Sequence, residues 1–98
     1  MSISDDDERR ERMTELARSF SCLGGAWGVD PFQPEELNRW AASGVSHGER
    51  VTASFILAVW HASTDWEAGR FDVMEALRVW TPSHGEPFLK WAADPWWA

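Results

Sequence analysis

No disulfide can close within this chain, because Cys22 is its only cysteine. The CxxC pairs of structural zinc sites are missing for the same reason, and HExxH does not occur. A metal centre would therefore need three or four His and carboxylate ligands brought together by the fold. Tyr is absent altogether, and Lys90 is the only lysine beside eight Arg. Apolar runs are short: the longest covers residues 51–60, whereas a membrane span needs about 18 or more. SDDDERRER, starting at Ser4, is charged throughout and lacks the apolar region of a signal peptide. With a lone cysteine this predicts a soluble, cytoplasmic protein. Positive charge is scarce, nine bases against sixteen acids for a net charge of −7, which weighs against nucleic acid or anionic membrane as a partner. Arg9, Arg10 and Arg12 alternate with Asp7, Glu8 and Glu11, so the one basic cluster is neutralised where it stands. The Gly-rich GGAWG at 24–28 matches neither GxGxxG nor GxxxxGK[ST], and there is no GxSxG elbow. Phosphate cradles, serine-nucleophile chemistry and bound cofactors are not expected.

What the chain does hold is apolar surface in a short length. Its 98 residues are 44% apolar and include eight Trp and five Phe, enough for one domain to bury a core without staples. A fully buried Trp must find an acceptor for its indole N–H, so eight in so small a domain predict that several lie at the surface. The organising stretch is 46–63. Its middle is apolar on every side, broken only by Thr52 and Ser54, the pattern of a helix buried in the centre of a domain. Ser46-His47-Gly48-Glu49 fits the capping box that would start it. The expected fold is all-α: a single domain over 1–98, a small bundle of four to five short helices around this central helix.

The remaining elements follow from period and caps. Residues 4–20 predict a first helix with Ser4 as cap and an inward face of Met13, Leu16, Ala17 and Phe20. Its charged first half, about 4–12, is expected to project into solvent. Residues 21–33 read as a loop anchored by Trp27 and Phe32. Residues 34–43 predict a second helix with Pro34 at its first position, Leu37, Trp40 and Ala41 inside, and Gly44 as C-cap. Residues 72–80 predict a fourth, capped by Asp72 and turning Val73, Ala76, Leu77 and Trp80 inward before Pro82 ends it. The last covers about 87–93, presenting Phe88, Trp91 and Ala92. Ser83-His84-Gly85-Glu86 repeats the capping-box tetrapeptide, but Pro87 favours the first helical position and so makes Glu86 the expected cap. The flanks of the two copies match poorly, so they read as two helix-start signals rather than a duplication.

Residues 64–75, TDWEAGRFDVME, resemble an EF-hand loop, with Gly69 at position six, Phe71 at eight, Asp72 at nine and Glu75 at twelve. Positions one, three and five are Thr64, Trp66 and Ala68, which supply no carboxylate, and Asp65 and Glu67 fall one register out. Helix–loop–helix geometry without metal is the expectation. His61 and Asp65, four apart, with Glu75, are the residues on which a small metal-dependent enzyme would have to be built.

Protein recognition is the leading expectation: a small, acidic, Trp-rich, non-enzymatic interaction module acting as regulator, adaptor or complex subunit. Trp concentrates in binding hot spots because it contributes a large rigid area at low entropic cost. Trp96 and Trp97 at the end of the chain and Trp66 in its loop are the candidate contacts, with Glu35, Glu36 and Glu67 selecting a basic or neutral protein partner; a homo-oligomer is one form of this. For Trp96 and Trp97 a fold-back onto the core stands beside the interface reading. The alternative in another class is a phage-type inhibitor or nucleic-acid mimic that blocks the basic groove of a host-defence protein, its acids being residues 5–8 with Glu35, Glu36 and Glu67.

Overall fold

The computed structural model describes residues 5–98, all of whose regular elements are helical. They are α1 (Asp5–Arg18), a 3-10 turn (Ser21–Leu23), α2 (Pro34–Ala41), α3 (His47–His61), α4 (Val73–Val79) and α5 (Pro82–Ala93). The all-α bundle expected from the sequence is therefore what the chain forms. α3 is its axis, packed against α1, α2, α4 and the 3-10 turn, and every residue from Val51 to Leu57 is buried. It starts at the capping box: the Glu49 N–H donates to Ser46 Oγ at 3.2 Å, and the Ser46 N–H donates to the Glu49 carboxylate at 3.0 Å.

The two polar interruptions of α3 are satisfied inside. Thr52 donates its hydroxyl to the Gly48 carbonyl at 2.7 Å and accepts the indole N–H of Trp80 at 2.8 Å and the Cys22 thiol at 3.3 Å. One donor and two acceptor sites are all a hydroxyl has, so nothing at Thr52 is left unmade. The bond joins the 3-10 turn, the central helix and the α4–α5 junction at one atom. Ser54 donates back to the Val51 carbonyl at 2.6 Å.

Around this axis, Met13, Ala17 and Phe20 from the first segment, Leu37, Trp40 and Ala41 from α2, and Phe55 and Phe88 fill one hydrophobic cluster. Phe55 meets Phe20, Phe71, Phe88 and Trp91 with ring centroids 5.1–5.8 Å apart, the offset and edge-on geometry that aromatic quadrupoles favour. In α2, Pro34 stands at the first position as expected, but the helix ends at Ala41 with Ala42 and not Gly44 as its C-cap; Gly44, at φ +94°, turns the chain two residues later. Gly28 is also left-handed (φ +76°), and a Cβ there would come within 2.7 Å of the Leu37 nitrogen, so the loop can close on α2 only with Gly at that point.

Four further expectations change. The proposed Ser4 cap lies outside the described residues, but the first half of α1 is tied down from Arg9 onward. The Arg9 and Arg10 guanidinium groups lie 4.6 and 5.1 Å from the centre of the Trp60 ring, and Arg10 also donates to the Phe32 carbonyl at 3.0 Å. Phe32 anchors the 21–33 loop as expected, whereas Trp27 is 50% exposed. α5 begins five residues early, because Thr81 takes the cap (accepting the His84 N–H) and Pro82 takes the first position; Pro87 falls inside the helix, and of its expected face Phe88 and Trp91 pack on the core while Ala92 is exposed. On α4, capped by Asp72 as expected, Ala76 is buried and Trp80 follows it inward. Val73 and Leu77 instead are 41% and 52% exposed, beside Met74 at 62%. The helix is rolled toward Val79 and Glu75, whose carboxylate reaches His47 Nε2 at 3.5 Å.

Candidate functional site

Because α5 starts early, it presents a long stripe, Ser83, Glu86, Pro87, Lys90, Trp91 and Asp94, at spacings of three and four that place them on one side of the helix. Arg12, Glu15 and Leu16 on α1, with Ser19 just past its end, form the matching stripe. The two stripes, with Trp96, line an open groove of about 780 Å³.

The chain end is fixed at three successive points. The Trp96 carbonyl accepts the Trp91 indole N–H at 3.0 Å, and the Ala98 N–H donates to the Val59 carbonyl at 3.1 Å. The Trp96 ring folds back, half-buried, under the Arg12 guanidinium at 4.1 Å. Trp97 lies between the two backbone anchors. Its ring stands edge-on to Trp91 at 5.4 Å, yet it stays 63% exposed. The adjacent tryptophans thus divide the two readings offered for them: Trp96 packs on the body and Trp97 faces water.

The other candidate residues are elsewhere. Trp66 is half-buried in the loop between α3 and α4, its indole N–H donating to the His61 carbonyl at 3.1 Å. Glu35 and Glu36 sit in the first turn of α2, Glu36 paired with Arg39 at 2.8 Å. Glu67 is drawn toward α2 because the next residue, Ala68, donates its N–H to the Asn38 side chain at 3.1 Å. It borders a smaller depression shared with His47 and Arg50. None of these four residues lines the groove.

His61, Asp65 and Glu75 are not brought together. His61 Nδ1 meets the Thr64 hydroxyl at 2.6 Å and Glu75 faces His47, and among the described residues no group of three His, Cys, Asp or Glu is placed to hold a metal. Gly69, at the sixth position of the EF-hand-like loop, is left-handed (φ +91°), so the turn is shared with that motif while the ligands are not. Burial pushes the Cys22 thiol above its ordinary pKa, against the opposing effect of its bond to Thr52. A protonated, half-buried thiol is a poor nucleophile at neutral pH.

The residues that sequence reasoning missed are Glu15, Glu86, Lys90 and Asp94. None of them is ion-paired to another described residue. For Glu86, Lys90 and Asp94 the signal was the stripe on α5, visible only once Thr81 rather than Glu86 is taken as its cap, and for Glu15 it was its place beside Arg12 and Leu16 on α1. No protein-family model, curated protein sequence or solved structure matches this chain. Among the described residues no helix is long and apolar enough to cross a membrane.

Proposed function

We propose that the chain is a non-enzymatic protein-interaction module that binds its partner across the α1–α5 groove and the Trp97 ring at its lip. The observation that carries this is the way Trp97 is held. Its neighbours on both sides are hydrogen-bonded to the body, so a large apolar ring is presented to water from a backbone tied down before and after it. Binding then costs little side-chain or backbone ordering, the condition under which an aromatic becomes a hot spot. A regulator, adaptor or subunit role in the cytoplasm goes with this reading.

The test is capture from a lysate of the source cell by the intact chain and by Trp97→Ser, with the fold of each checked by circular dichroism. An identified protein retained by the intact chain and lost by Trp97→Ser supports the reading; equal retention by both, or none by either, removes it. Truncation at Asp94 is the poorer variant, since it also takes away the acceptor of the Trp91 indole. A second reading, an acidic inhibitor of a basic groove, draws on the exposure of Asp5, Asp6, Glu8, Glu35 and Glu67. Under it, charge reversal at those positions, and not Trp97→Ser, abolishes capture.

A further inference from the structure

The walls of the groove also say what kind of segment fits it. Three carboxylates, Glu15, Glu86 and Asp94, face it against two cations, Arg12 and Lys90. Arg12 is engaged with the Trp96 ring, and Lys90 stands one helical turn from both Glu86 and Asp94 without pairing to either. The apolar lining comes from Leu16, Trp91 and Trp96. Resting on the interaction-module reading, we propose that the groove takes a basic, extended peptide segment of a partner. Its Arg or Lys side chains pair with Glu15, Glu86 and Asp94, and its apolar side chains lie against Trp91 and Trp96.

Geometry supports the extended form. Glu86 and Asp94 are eight residues apart on a helix, about 12 Å along its axis. An extended strand covers that distance in about four residues and returns its side chains to the same side every second one. Basic residues four apart with an apolar one midway between them share one side of such a strand, and therefore meet both carboxylates and the Trp91 ring between them together. Pro87 has no N–H to give the Ser83 carbonyl, which leaves an acceptor without its helical donor on a residue of the groove wall. The net charge of −7 steers a basic segment toward the protein from a distance.

The experiment uses the full chain and a short end-blocked Arg–Leu peptide of the repeat Arg-Ser-Leu-Ser, which puts both residue types on one side of the strand, with the matching Glu–Leu peptide as control. Amide chemical-shift mapping by NMR locates the contact and fluorescence titration gives the affinity. Shifts confined to the stripes of α1 and α5, with the Glu–Leu peptide silent, are the expected result. The triple variant Glu15→Gln, Glu86→Gln, Asp94→Gln weakens binding by about tenfold or more, and Lys90→Gln, which removes the competing cation, strengthens it by about two- to threefold. Lys90→Gln keeps the test decisive if the triple variant is misfolded. No binding of the Arg–Leu peptide, shifts on α4 or around Asp5 to Glu8 instead, or a Lys90→Gln variant that binds no better overturns the proposal. If the peptide fails while Trp97-dependent capture persists, the basic occupant is wrong and the interaction module stands; if Trp97→Ser loses nothing, the module itself falls.

Discussion

Two flanks of this protein, both carrying large apolar side chains, are finished in opposite ways. On the α1 side, aromatic rings at the surface are covered by the chain's own cations: Arg9 and Arg10 over Trp60, Arg12 over Trp96, with Phe32 against Trp60 at 5.3 Å. On the α4 side, Val73, Met74 and Leu77 lie open on a helix of seven residues. The first flank reads as exposed in the sequence and is partly closed; the second reads as core and is open. A helical period shows that a face exists, but only another element decides whether it is covered. α1 is long enough to lay three arginines along two tryptophans. α4 is short, is gripped at Trp80 and Glu75, and turns one apolar edge away.

The largest effect is expected from breaking the covered flank. Trp60→Ala removes the ring that Phe32, Arg9 and Arg10 share, and the lost burial and cation contacts should cost about 3 kcal/mol. In a domain of this size that lowers Tm by roughly 10–20 °C, read by calorimetry, and amide exchange should rise first in the N-terminal half of α1. A loss under about 1 kcal/mol would mean that the arginines do not hold that half-helix.

Of the two grips on the other flank, the buried one is at the Thr52 hydroxyl. Thr52→Val keeps shape but strands the buried indole N–H of Trp80, costing about 2 kcal/mol. Thr52→Ser, which keeps the hydroxyl, should recover most of it. Equal losses for Val and Ser would show that the methyl group and not the hydrogen bond matters, and the grip on α4 would then need another explanation.

How far the sequence shows all this is clearest in the repeated tetrapeptide. At 46–49, nothing upstream competes, and Ser46 and Glu49 close the box. At 83–86, Thr81 and Pro82 start the helix first, leaving Ser83 inside it and Gly85 buried against Trp80, whose ring atoms would lie 3.7 Å from an added Cβ. The central helix, the Asp72 cap, the α2 face and the all-α class were legible because each is set within a few residues. The groove was not, because it depends on the true start of α5 and on two stripes meeting across the fold. The same holds for Trp96 and Trp97: adjacency along the chain cannot show that one ring turns in under Arg12 while the next is held out by bonds to Trp91 and Val59.

The smallest effect is the sharpest test of the open flank. Leu77 falls on the helical period of the core with Ala76 and Trp80, and were it packed there, Leu77→Gln would strand an amide in an apolar site and cost several kcal/mol. At 52% exposure the substitution instead gives back to water a surface already in it, so the expected change in stability is within about 0.5 kcal/mol of zero. Thermal unfolding of Leu77→Gln beside the fully buried Leu37→Gln makes the contrast internal to one molecule. If the Leu77 variant is destabilised like the Leu37 variant, α4 is rolled further inward in solution and the two flanks are finished alike. If it is neutral, the apolar edge is free of the fold, and α4 owes its place to Trp80 on Thr52 and to Glu75 beside His47.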